Sequence, residues 1–148
     1  MKTFLVPIDF SAVTEDVIDT AIDFARAFRG KVHLLHVVQP PVLTTDFALP
    51  AEMLQEAYDA SEKAAARKMT EFEQRFRTAG VDCATDLKHG GPAILIAQEA
   101  ARVKADYVIM GSHGHGKLYD LLVGSTSAGV MKRVKSGVIL LPPGDREY

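Results

Sequence analysis

Short apolar runs rich in β-forming residues alternate with longer stretches of helical periodicity along the whole chain. That alternation is the signature of a parallel sheet with crossover helices, and it leaves few other folds open. Five strands are expected, at Thr3–Ile8, Val32–Val38, Asp82–Lys88, Asp106–Met110 and Val138–Leu141. Four of them read as nearly continuous apolar runs, as strands covered on both faces should. The third differs: Val81, Cys83, Thr85 and Leu87 alternate with Asp82, Ala84, Asp86 and Lys88, so one face is polar and the strand belongs at an edge.

Between the strands, Val13, Val17, Ala21, Ala25 and Phe28 recur at helical spacing, as do Leu54, Tyr58, Ala65, Met69, Phe72, Phe76 and Ala79. A third helix is expected from Pro92, a natural first-turn residue, to Val103, and a fourth from Ser125 to Val134. Gly80 stands where a helix C-cap glycine belongs. Gln39 to Pro50, with three prolines and no periodicity, reads as a surface loop. The 148 residues suit one domain spanning 1–148. In such an open α/β sheet, ligands bind at the C-terminal strand ends where the strand order reverses. Those ends are Asp9, Val37 to Gln39, Lys88 to Gly91, and Gly111 to Gly116.

Charge narrows the partners. Seventeen Lys and Arg against nineteen Asp and Glu leave a net −2, so no bulk field draws the chain to nucleic acid or to an anionic membrane. The basic cluster Lys132, Arg133 and Lys135 is read as cations at a helix C-terminus. Cys83 is the only cysteine, which excludes an internal disulfide framework and a cysteine-based zinc site and makes it a small buried hydrophobe. The N-terminal apolar stretch is cut by Pro7 and Asp9, and no run of about 18 apolar residues occurs elsewhere, so no membrane span and a cytoplasmic location are expected.

The residues that carry chemistry cluster after the fourth strand, in Gly-Ser-His-Gly-His-Gly-Lys at 111–117 and in Gly124-Ser125-Thr126-Ser127 at the start of the last helix. Glycines let backbone amides converge on one concavity, and a hydroxyl-rich helix start adds free amides, so both halves suit an anion such as phosphate. The P-loop pattern fails at its last position, where Leu118 replaces the magnesium-holding Ser or Thr, and the dinucleotide pattern fails because Lys-Leu-Tyr follows Gly116. His113 and His115 have His-x-His spacing, but no acidic residue or cysteine flanks them, so the pair with Lys117 suits phosphate better than a dedicated metal site. His33 and His36 read as strand histidines, and His89 as a loop residue near the rim of the site. On its own Asp9 fits an Asx-turn or a ligand contact equally, and Val37 a core position.

One pattern fits without exceptions: Gly111, two residues, Gly114, nine residues, then Gly124-Ser125. With the opening Phe4-Leu-Val-Pro-Ile-Asp9-Phe-Ser11 and the second-strand stretch Leu34-Leu-His-Val37-Val, the chain resembles the nucleotide-binding members of the universal stress protein family over nearly its whole length. Gly137 departs from the family, which commonly has Pro before the last strand. The resemblance implies a Rossmann-like α/β fold, an open five-stranded parallel sheet in the order 3-2-1-4-5 with helices on both faces. It also implies ATP binding, with Mg²⁺ or Mn²⁺ carried by the phosphates. Gly111, Gly114, Gly124, Ser125 and Thr126 would surround ribose and phosphates, while Asp9 and Val37, the latter chiefly through its backbone, would hold the adenosine end; Pro7, His113 and His115 are further candidates for nucleotide contact. The family's dimerisation through the last strand implies a homodimer along Val138, Ile139, Leu140 and Leu141, read by a further protein. A regulator is favoured over a slow ATPase or a phosphotransferase using the loop histidines, because no base for hydrolysis stands out.

Overall fold

In the computed structural model, which describes residues 1–39, 50–113 and 123–143, strands and helices alternate strictly. They are β1 (Thr3–Pro7), α1 (Thr14–Ala27), β2 (Lys31–Val38), α2 (Ala51–Thr78), β3 (Asp82–His89), α3 (Pro92–Arg102), β4 (Tyr107–Gly111), α4 (Ser125–Met131) and β5 (Gly137–Leu141). The five strands form one parallel sheet in the order β3-β2-β1-β4-β5. The α/β architecture expected from the sequence is therefore present, with the half-polar strand at one edge and β5 at the other. Most of the expected loop from Gln39 to Pro50 lies outside the described residues.

Each helix covers the sheet through the apolar stripe that its sequence encodes. Val17, Ile18, Ala21 and Ala25 of α1 and Met69 and Phe76 of α2 bury against Phe4, Val6, Val32 and Leu34 on one face. Ile96 and Ala100 of α3 and Val130 of α4 bury against Leu5, Leu35, Val37 and Val108 on the other. Fully burying a side chain of this size is worth roughly 1.5–3 kcal/mol, so these two layers dominate the stability. Cys83 packs into the first layer, and its burial pushes the thiol pKa up to about 12, which leaves it a small inert hydrophobe.

Element ends follow local chemistry. Gly80 has φ +78°, donates to the Arg77 carbonyl at 3.0 Å and is followed by Val81 donating to the Phe76 carbonyl at 2.9 Å, which closes α2 in a Schellman turn. Strand β4 begins at Tyr107 rather than Asp106, because the Asp106 carboxylate turns back to accept the Thr3 amide at 2.8 Å. Helix α4 ends at Met131 rather than Val134; the amides of Arg133 and Val134 share the Val130 carbonyl in a closing turn, which keeps Val134 on the core.

The β3 edge is charged. Asp82 and Asp86 are exposed, and Arg102 of α3 bridges Asp86 at 3.2 Å while also gripping Glu99. Glu99 is only 3% exposed and has Lys88 at 3.5 Å. The Arg102 hydrogen bond, aided by the Lys88 and Arg102 charges and opposed by desolvation, holds its carboxyl below the usual range. His33 nearby is pushed the same way by burial and by the Lys31 and Arg102 charges. Among the described residues no helix is long and apolar enough to cross a membrane.

Candidate functional site

Strand β1 pairs with β2 from Thr3 to Pro7, yet with β4 only at Phe4–Tyr107 and Leu5–Val108. Pro7 explains the difference. Amide direction alternates along a strand, and Ile8 donates to Leu35 of β2, so the group at residue 7 would face β4, where proline has no N–H to offer. Beyond Leu5 the two strands part, at the place where the order of the sheet reverses.

A cavity of about 730 Å³ opens in that gap. Its walls are Pro7, Ile8 and Asp9 from the end of β1, Val37 and Gln39 from β2, Met110 to His113 from β4, Val13, Thr14 and Val17 from α1, Pro92 and Ile96 from α3, and residues 123–128. Eight of the residues singled out in the sequence meet here: Pro7, Asp9, Val37, Gly111, His113, Gly124, Ser125 and Thr126. Gly114 and His115, with Lys117, lie outside the described residues. His89 does not reach the rim as expected: it ends β3 on the α2 side, 3.5 Å from Glu62 and with its ring against Tyr58. Lys88 to Gly91 take no part in the walls.

Asp9 forms the Asx-turn anticipated for it, its Oδ1 accepting the Ser11 amide at 3.0 Å. On the far wall Ser112 is the joint. Its amide donates to Leu141 of β5, and its carbonyl accepts both the Gly124 amide at 2.7 Å and the Ser127 hydroxyl at 2.6 Å. The Ser112 hydroxyl meets Nδ1 of His113 at 3.0 Å. These contacts tie the end of β4 to the start of α4, where the amides of Ser125 to Ser127 precede the first intrahelical bond, from Ala128 to Gly124.

Two motif glycines are required by packing. A Cβ on Gly111 would lie 2.6 Å from Cγ1 of Val13, and one on Gly124 would lie 2.9 Å from the Ser112 carbonyl. Gly124 has an ordinary φ of −72°, so close approach is its reason. Sequence reasoning gave no site role to Val13, Thr14, Val17, Ile96 and Met110, of which the apolar ones carry only a core signal; Ser112 and Ser127 stood inside the two motif segments but were not picked out individually as ligand residues. Thr14 is buried at 4% exposure, and its hydroxyl has no hydrogen-bond partner among the described residues.

The universal stress protein family model matches residues 1–142. The chain belongs to that family. Universal stress protein MJ0531 of Methanocaldococcus jannaschii is 27% identical over 150 residues, covering 99% of this chain and 85% of its own. The solved structure of protein MJ0577 superposes with a TM-score of 0.83 at 26% identity, covering 99% of this chain and 97% of that one. Among the similar solved structures, two are described as carrying ligands. One is in complex with cAMP (TM-score 0.67, 23% identity, 97% and 99% of the two chains), and one, from Arabidopsis thaliana, has AMP bound (TM-score 0.69, 18% identity, 98% and 94%).

Proposed function

We propose that the chain is a cytoplasmic ATP-binding regulatory protein, a single family domain over 1–148 that works as a homodimer. The observation that carries this reading is the composition of the cavity between β1 and β4. One wall offers the Asp9 carboxylate beside Val37, and the other offers Gly111, His113 and the amides and hydroxyls at Gly124 to Thr126. An ionised carboxylate only accepts hydrogen bonds, which suits the amino edge of adenine, while clustered amides and hydroxyls suit phosphate. The volume falls in the range of roughly 300–1,000 Å³ usual for small-molecule sites. The cAMP- and AMP-bound relatives support an adenine nucleotide as the ligand.

Mg²⁺ or Mn²⁺ would be held through the phosphates. Asp9 is the one carboxylate lining the described wall, and no three His, Cys, Asp or Glu side chains cluster among the described residues. Gly114 and His115 complete the phosphate side in this reading. The homodimer forms along β5, whose Val138, Ile139, Leu140 and Leu141 are half-buried at an open sheet edge. Nucleotide occupancy is then read by a further protein.

Calorimetric titration with Mg·ATP, AMP and cAMP tests the reading, alongside a phosphate-release assay and sedimentation. Binding is expected, with Asp9→Ala weakening AMP by about tenfold for the lost hydrogen bond to a charged group. No phosphate release above background and a dimeric mass are also expected. Absence of binding to any of the three nucleotides overturns the assignment. Release that disappears in His113→Ala would make the protein an enzyme, and a monomer that persists at high concentration removes the β5 interface.

A further inference from the structure

We infer that Phe10, which does not itself line the cavity, is a positioning residue for it, aiming the Asp9 carboxylate from behind the wall; this rests on the reading above that Asp9 meets the base. Phe10 has φ +62°, a left-handed conformation that a bulky aromatic residue rarely adopts. Its ring is held on three sides: by the His36 imidazole at 4.3 Å, by the Phe72 ring stacked at 6.4 Å, and by Nζ of Lys68, 4.9 Å from its centroid. His36 also fixes the chain just before, its Nδ1 donating to the Ile8 carbonyl at 2.8 Å.

The geometry couples this clamp to the ligand side. Phe10 packs on the α1 and α2 layer, whereas Asp9 lines the cavity. The hydrogen bond from the Ser11 amide to Asp9 Oδ1 spans Phe10, so the φ of residue 10 and the carboxylate direction belong to one closed ring of atoms. Releasing the aromatic ring frees that φ, and the carboxylate loses its fixed direction. A pocket that discriminates by one hydrogen bond needs that direction held.

The test uses the full chain with AMP, inosine monophosphate and ribose 5-phosphate. Inosine replaces the amino donor of adenine by a carbonyl, and ribose 5-phosphate lacks the base. Phe10→Gly accepts the left-handed backbone without strain but deletes the ring; Phe10→Tyr keeps the ring; Phe72→Leu loosens it from α2. Wild type and Phe10→Tyr are expected to prefer AMP over inosine monophosphate by about tenfold or more. In Phe10→Gly and Phe72→Leu the ratio should fall toward one while ribose 5-phosphate affinity stays constant, which a general loss of stability does not produce. A ratio unchanged in both variants overturns the inference. Amide hydrogen exchange at Ser11 supplies a ligand-free readout: protection should drop by about tenfold in Phe10→Gly and persist in Phe10→Tyr. If wild type binds no nucleotide, the proposed function fails, and Ser11 exchange still decides the positioning role, retained protection in Phe10→Gly counting against it. If wild type treats the two bases alike, the placing of adenine's amino edge on Asp9 fails and this inference with it.

Discussion

Ser127 donates its hydroxyl to the carbonyl of Ser112 at 2.6 Å, a buried bond that joins the first turn of α4 to the end of β4 across fifteen positions of chain. The same hydroxyl lies 3.1 Å from the Gly124 carbonyl, so one side chain serves both ends of the segment. Ser127→Ala is expected to lower stability by about 1 kcal/mol and the midpoint of thermal unfolding by roughly 2–4 °C. Urea and thermal denaturation measure both, and an unchanged midpoint would show that the bond contributes nothing net.

Three glycines separate the effect of space from that of backbone conformation. Gly124→Ala forces a Cβ against the Ser112 carbonyl, a backbone atom that cannot step aside, and should cost about 1–3 kcal/mol. Gly80→Ala meets no atom within 4 Å but must hold φ +78°, and should cost about 1 kcal/mol. Gly91→Ala has open space and φ −79°, so it should stay within about 0.5 kcal/mol of wild type. Urea midpoints at constant slope give the ranking; a Gly124→Ala as mild as Gly91→Ala contradicts it.

Acid should weaken the fold in two separate windows. His33 has its pKa lowered in the folded protein, so the unfolded chain takes up a proton near 6.5 first, and stability is lost as pH falls from there through the folded value. Glu99 is lowered by Arg102, so its contribution is present above its ordinary value of 4.5 and disappears as pH falls through the folded value. In a stability–pH profile, His33→Gln should flatten the slope just below pH 6.5 and Glu99→Gln the slope below 4.5. Either variant leaving its own window unchanged refutes the assignment of that window.

Thr14→Val replaces a buried hydroxyl that has no partner among the described residues with a methyl group of similar size. Removing an unsatisfied polar atom should leave stability unchanged or raise it by up to about 1 kcal/mol, with nucleotide affinity unaltered. A loss of affinity in a protein of normal stability would instead place that hydroxyl on the ligand.

The five strands could be read from sequence because burial on both faces demands uninterrupted apolar runs, and the polar alternation from Asp82 to Lys88 is what an uncovered edge requires. Gly80 and Pro92 marked helix ends through conformations that their covalent structure imposes. The site was only half visible. Asp9, Gly111 and Gly124 stand out because a polar residue or glycine after a buried strand needs a reason. Val13, Val17 and Ile96 obey the same helical periodicity as true core residues, and only the separation of β1 from β4 turns them into cavity wall. Nothing in the sequence signals the left-handed Phe10, since aromatic residues are not selected for that conformation. His89 was misplaced because the glycines after it suggested a binding loop, while its contacts run to Tyr58 and Glu62 of α2.

The two rims of the sheet are chemically opposite, apolar along β5 and studded with Asp82, Asp86 and Lys88 along β3. Were a second copy to join at β5, as proposed above, the doubled sheet would have β3 at both free rims. Further strand addition there would have to strip water from carboxylates and an ammonium group. The charged rim thus denies aggregation a growing end along β3.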